Sequence, residues 1–165
     1  MTIEVREATP DEHEETGRVT ADAYREFVQP DDDDWAQYLD HIADVSSRAE
    51  RTVIIVAVED ARILGSATLE LDGRVEPEPE RELEPHEAHI RMLGVAPAAR
   101  GRGIATRLMA ECEDRARAAG RTLMTLNTTG RMQAAQRMYE SLGYERTEDR
   151  VFPDGFVLLT YEKRL

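Results

Sequence analysis

The sequence predicts an α/β fold: a single domain, residues 1–165, with a mixed sheet of about seven strands flanked by four helices. Three observations predict it. β-Branched and apolar runs of strand length alternate with stretches whose apolar residues recur every three to four positions. Glycine and proline punctuate the boundaries between them. The resulting order, β-α-α-β-β-β-α-β-α-β-β, combines hairpin connections with helical crossovers, as a mixed sheet requires.

Ile3, Val5 and Ala8 mark a short opening strand. Thr9-Pro10-Asp11-Glu12 reads as a helix start: Thr9 caps, Pro10 takes the first turn and Glu12 closes a capping box. Val19, Ala23 and Phe27 follow on one helical face, and Gln29-Pro30 is expected to end the helix. The acidic run Asp31 to Asp34 suits the start of a second helix with Trp35, Leu39, Ile42 and Val45 on its apolar face. Residues 52–58 and 62–71 read as two strands separated by a turn at Glu59-Asp60. Residues 74–86 carry Pro77, Pro79 and Pro85 among many glutamates and read as an exposed loop, either an acidic lip that attracts a cationic amine or a solvated connection.

A strand over 89–95 ends at Pro97. The helix after it, about 101–119, shows Ile104, Leu108, Cys112 and Ala119 on one face, and Gly120 stops it. Residues 123–127 form a strand. Met132, Ala135, Met138 and Leu142 mark the core face of the next helix. Residues 144–151 and 156–162 are two closing strands joined at Pro153-Asp154-Gly155.

Composition narrows the function. Acidic residues number 34 against 21 basic ones, a net charge of −13. Nucleic-acid binding depends on neutralising phosphates, so a chain this acidic argues against it, and any polyanionic ligand needs a local basic site. Lys163 is the one lysine. No apolar run is long enough for a membrane span, and the charged, strand-like opening Met1 to Glu7 lacks a signal-peptide core. One cysteine, Cys112, precludes an internal disulfide, which fits a reducing compartment. The expectation is a cytoplasmic protein.

The informative segment runs from Ile90 to Ala105. A strand leaves at Val95, and a loop holding Gly101 and Gly103 opens directly into a helix. Glycines let the backbone approach a ligand, and the free N–H groups at a helix start face outward, which suits phosphate. Arg100 and Arg102 add positive charge there. A nucleotide-hydrolysing P-loop is excluded, since no G-x-x-x-x-G-K-[ST] occurs, and Thr106 replaces the third glycine of a dinucleotide fingerprint. His86 and His89 lack a third partner, so no metal site is expected. Cys112 has no obvious base and reads as core.

Arg100-x-x-Gly103-x-Ala105 matches the [Q/R]-x-x-G-x-[G/A] acetyl-CoA signature, and Ala135-x-x-Met138-Tyr139-Glu140-x-x-Gly143-Tyr144 resembles the A-x-x-L-Y-E-x-x-G-F marker. With both, the chain resembles the GNAT superfamily of acetyl-CoA-dependent N-acetyltransferases, closely over residues 87–144. The resemblance implies a GNAT-like fold and transfer of acetyl to a primary amine of a small molecule or peptide. It implies that backbone groups of Leu93, Gly94 and Val95 pair with pantetheine. It implies that the N–H groups of Arg100, Gly101, Arg102, Gly103, Ile104 and Ala105 hold the pyrophosphate, with Asn127 and Ala135 lining the cofactor. Tyr139 is then the acid that protonates the departing thiolate. Met132 stands where many members have asparagine. For the base, His89 occupies the strand position implied by the resemblance, with Glu87 its rival two residues earlier; alternation places His89, Arg91 and Leu93 on one face. A homodimer is compatible with the resemblance. Two other readings stand beside it: a non-catalytic coenzyme A sensor or partner module, and an acyltransferase using a longer acyl group.

Overall fold

The computed structural model describes residues 2–27, 33–75 and 81–165. The strands are β1 (Glu4–Glu7), β2 (Val53–Glu59), β3 (Arg62–Glu70), β4 (Arg74–Val75), β5 (Arg81–Glu82), β6 (Glu87–Val95), β7 (Leu123–Thr128), β8 (Glu145–Arg146), β9 (Arg150–Val151) and β10 (Val157–Arg164). The helices are α1 (His13–Tyr24), α2 (Asp33–Ala43), α3 (Val45–Ala49), α4 (Ile104–Ala118) and α5 (Gln133–Ser141). The chain is thus α/β with a mixed sheet, as expected, and five helices rather than four are present among the described residues. It divides into two compact units, Met1–Leu69 with Met92–Cys112, and Glu70–Arg91 with Glu113–Leu165.

In the first unit the strand order is β1-β2-β3-β6. β1 and β3 both pair antiparallel with β2. The apolar run of β2 is buried from Ile54 to Val58, because helices and neighbouring strands cover it. Thr9 and Glu12 form the expected capping contact, with the Thr9 N–H donating to Glu12 Oε2 at 2.9 Å. It caps a short 3-10 turn, Pro10–Glu12, that leads into α1. Arg6 grips the same carboxylate with a two-pronged bond and holds its pKa down to about 2. The α-helical part of α1 stops at Tyr24, ahead of a 3-10 turn at Arg25–Phe27, while the predicted Gln29-Pro30 stop lies outside the described residues.

The buried face of α1 is made of small residues, Thr16, Gly17, Thr20, Ala21 and Ala23. The smallness is required: a Cβ on Gly17 would sit 2.0 Å from the Ala43 carbonyl oxygen, so only glycine lets α2 come this close. Leu39 and Ile42 of α2 pack with Ala21 and Met92. Full burial of Ile42 contributes about 2 kcal/mol. Val45 is buried too, but on α3, because Asp44 breaks the run and caps a new helix. In α4, Ile104, Leu108, Cys112 and Ala116 are buried at spacing four; the expected Ala119 is exposed at the fraying end.

In the second unit the strand order is β6-β7-β10-β8, so β6 contributes to both units. β6 and β7 run parallel, Glu87 opposite Leu123 through Ile90 opposite Leu126. β10 is antiparallel to β7, β8 and β9. The segment expected as a bare loop, 74–86, contains the paired ends β4 and β5, with 76–80 outside the described residues. In α5 the buried side chain is Tyr139, not the predicted methionine and leucine face, whose members are half-buried. Its ring lies 6.1 Å from Tyr144 and 6.0 Å from Tyr161. Beside Tyr144, Glu113 accepts from the Tyr144 hydroxyl at 3.0 Å and from Lys163 Nζ at 2.9 Å, and Lys163 also lies over the Tyr144 ring.

Candidate active site

The first unit holds the glycine loop. Pro97–Ala99 form one 3-10 turn, and Arg100 to Gly103 then enter α4. Gly101 and Gly103 adopt φ of +80° and +75°, a region that side chains resist. A Cβ on either would meet no protein atom within 4 Å. The glycines are therefore not demanded by packing; backbone conformation and open space coincide there. The first N–H groups of α4 have no carbonyl of their own helix to bind and present a positive dipole end. Such a helix start suits an anionic group.

The two arginines of the loop differ from expectation. Arg100 pairs with Glu26 at 2.6 Å and donates to the Ala23 carbonyl, and Arg102 holds Glu59 with two bonds. In so acidic a chain, nearby carboxylates claim the guanidinium groups, and the Glu59 carboxyl is held below its ordinary value by Arg102. The free positive character of the loop is then that of its backbone. Preceding it, Leu93 and Val95 are half-buried while Gly94 is buried, with Ala23 and Thr20 of α1 against the position its Cβ would take. Met92 has φ of +54°, so the strand backbone is not extended there, and simple alternation does not carry from His89 and Arg91 to Leu93.

The second unit holds Tyr139, His89, Glu87, Asn127 and Ala135. Burial pushes the Tyr139 phenol well above its usual range, so it keeps its proton at any working pH. Asn127 donates its amide to Thr160 Oγ1 at 3.0 Å across the β7–β10 pair, and Ala135 is half-buried on α5.

His89 and Glu87 do come together, through residues that the sequence did not single out. Arg81 reaches back from β5 and makes a two-pronged ion pair with Glu87. Thr125 of β7 donates to Glu87 Oε2 and lies 2.8 Å from His89 Nδ1. The Glu84 backbone N–H completes the set at 3.2 Å. Burial alone would raise the Glu87 carboxyl, but Arg81 and Thr125 outweigh it and leave it below the ordinary value. His89 is 2 % exposed, and burial followed by the Arg81 charge pushes it down to about 3, so its ring is neutral at physiological pH. Among the described residues no cluster of three or more His, Cys, Asp or Glu gathers as for a metal ion.

Residues 15–144 match the sequence profile of the Acetyltransferase (GNAT) family. The chain belongs to the GNAT acetyltransferase family. Solved structures agree with the fold of that family. N-acetyltransferase PaiA of Thermoplasma acidophilum, in complex with coenzyme A, is 14% identical over 100% of each chain, with a TM-score of 0.74. YncA of Salmonella typhimurium, solved with its cofactor acetyl-CoA, is 19% identical over 100% of this chain and 95% of that one, with a TM-score of 0.71. Ribosomal-protein-alanine N-acetyltransferase of Brucella melitensis is 22% identical over 98% and 99%, with a TM-score of 0.67. No curated protein sequence matches. Among the described residues of this GNAT chain, no helix is long and apolar enough to cross a membrane.

Proposed function

We propose that this GNAT protein is a cytoplasmic N-acetyltransferase that moves the acetyl group of acetyl-CoA to an amine of a small molecule or peptide. The observation that carries the reading is the loop from Arg100 to Ala105: two glycines at positive φ, open space above both, and a helix start directly behind them. The backbone N–H groups there would hold the pyrophosphate. Acetyl-CoA, when bound, supplies an acyl group already activated as a thioester. What remains for the protein is to position the amine, accept its proton and stabilise the departing sulfur.

Tyr139 suits the last task as a hydrogen-bond donor. An ordinary thiol has a pKa of about 8.5, below that of a phenol raised by burial, so the proton stays mainly on the tyrosine oxygen while its bond steadies the sulfur. Glu87 and His89 suit the acceptor side. Both are unprotonated at neutral pH; His89 can accept a hydrogen bond from the amine, whereas the acceptor positions of Glu87 are taken by Arg81, Thr125 and the Glu84 N–H. The surplus of carboxylates favours a cationic acceptor.

Calorimetry with acetyl-CoA tests the binding half, and Gly103→Val is the decisive variant. It places a branched side chain in the open space and should reduce affinity at least tenfold, with the melting curve showing that the fold persists. Wild-type affinity in a folded Gly103→Val protein removes the cofactor assignment. Thiol release from acetyl-CoA across a panel of amines, from polyamines to peptide N-termini, tests the catalytic half.

A further inference from the structure

We propose that Thr125 is a positioning residue that fixes His89 in its Nδ1–H tautomer and so presents Nε2 as the unprotonated nitrogen. The proposal is about this chain's own side chains. Only its catalytic consequence rests on the acetyltransferase reading.

Donor and acceptor counts decide the tautomer. Glu87 is ionised and can only accept; it takes the Arg81 fork, the Glu84 N–H and the Thr125 hydroxyl. A threonine hydroxyl has one proton, and the shortest and only charged acceptor within its reach is Glu87 Oε2 at 2.5 Å; His89 Nδ1 is 2.8 Å away and the Ala88 carbonyl 3.4 Å. That proton is therefore committed. The Thr125 oxygen then has only lone pairs to offer at its 2.8 Å contact with His89 Nδ1, so Nδ1 must carry the hydrogen. With the proton on Nε2 instead, two lone pairs would face each other at this distance, or the hydroxyl would have to abandon the carboxylate. In this buried position neither is tolerated cheaply.

The fold holds the arrangement in place. His89 and Thr125 are opposite one another in the parallel β6–β7 ladder, and Glu87 lies two residues before His89, on the same side of its strand. Thr125 is β-branched, so few side-chain rotamers are open to it and its Oγ1 is held between Glu87 and His89. The charged groups around the ring are Arg81 from β5, Glu87 and Arg91 from β6, and Arg150 from β9, with Glu70 of β3 paired to Arg91 at 2.8 Å. Three cations and burial act against protonation of the ring, and one anion favours it. The ring stays neutral, and its tautomer decides which nitrogen can accept a hydrogen bond.

Long-range proton–nitrogen correlation on protein labelled with nitrogen-15 histidine reads the tautomer directly. The chain has four histidines, and His89→Gln assigns the signal. The expected pattern for His89 is a neutral ring protonated at Nδ1 that does not titrate between pH 5 and 8. Thr125→Val should move it toward the Nε2–H form, and Thr125→Ser should restore the wild-type pattern. A wild-type ring protonated at Nε2 overturns the proposal, as does a folded Thr125→Val protein with an unchanged tautomer. Turnover with an amine found by the panel gives the second readout: Thr125→Val lowers kcat at least tenfold with KM for acetyl-CoA unchanged, and Thr125→Ser recovers it. A chain that fails to bind acetyl-CoA removes the function while leaving the tautomer result intact.

Discussion

The glycine loop and the β6–β7 polar cluster solve opposite problems. The loop is exposed and lies in the first unit, and its chemistry belongs to the backbone. Its side chains are engaged in solvent-facing ion pairs, Arg100 with Glu26 and Arg102 with Glu59. The cluster lies in the second unit and is made of side chains, Arg81, Glu87, Thr125 and His89, that bond to one another. Glu87 is 3 % exposed and His89 is 2 % exposed. An ion pair in water is worth little because water and salt screen it, whereas breaking a buried one strands a charge. The same two residue types, arginine and glutamate, therefore carry very different weight in the two places.

The largest effect is expected of Arg81→Ala. It leaves the Glu87 carboxylate buried with only neutral donors, and should cost about 2–3 kcal/mol, toward the lower end for a buried pair because Arg81 itself reaches solvent. For a chain of this size that is a fall in melting temperature of roughly 5–10 °C. A loss below about 1 °C would mean that the cluster is no more than a surface pair.

Next comes Tyr139→Phe, which separates chemistry from binding. It keeps the ring contacts with Tyr144 and Tyr161 and deletes one hydroxyl. A fall in kcat of roughly a hundredfold is expected, about 2.7 kcal/mol, with calorimetric affinity for acetyl-CoA unchanged. Gly103→Val should show the reverse pattern, lost affinity as the primary defect. Equal loss of both in Tyr139→Phe would make the tyrosine a packing residue.

His89 gives a smaller effect with a defined sign. Folded, it binds a proton only near pH 3; unfolded, near 6.5. Between those values the unfolded chain holds more protons, so the contribution is fully present above pH 6.5 and lost as pH falls toward 3. From pH 6.5 to 5, above the range of ordinary carboxylates, the loss should be about 1.5 kcal/mol. Denaturant unfolding of His89→Gln should be flatter by that amount over the same interval; parallel curves would put the ring in contact with water. The smallest effect belongs to the loop. Arg102→Ala should leave the melting temperature within error, and a clear drop would show that its pair with Glu59 supports the fold.

The contrast also explains what was legible in the chain. The loop was legible locally, because glycines at 101 and 103 stand between a strand and a helix, and both adopt positive φ. The capping contact of Thr9 and Glu12 was equally local and equally readable. The cluster was not, for three physical reasons. Arg81 sits in a stretch whose prolines and glutamates say only that it is exposed, yet it folds back onto Glu87. Thr125 matters through the register of a parallel pair formed across 36 residues, which no local pattern encodes. The positive φ at Met92 interrupts the alternation from which the face of β6 would be inferred. Helix faces failed at their ends: Ala116 rather than Ala119 continues the four-residue spacing in α4, and in α5 an aromatic side chain took the interior instead of the methionines.

Lys163 is the chain's one lysine, and its ammonium is clamped between Glu113 and the Tyr144 ring with about a quarter of the side chain exposed. An ammonium has no lone pair with which to attack a thioester, and this one donates to the Glu113 carboxylate at 2.9 Å. This member of an acetyltransferase family thus carries one lysine amine, and that one is engaged. Any acyl mark that does appear at Lys163 times the opening of one corner, where β10 meets α4, and nothing else in the sequence can blur that clock with a second lysine.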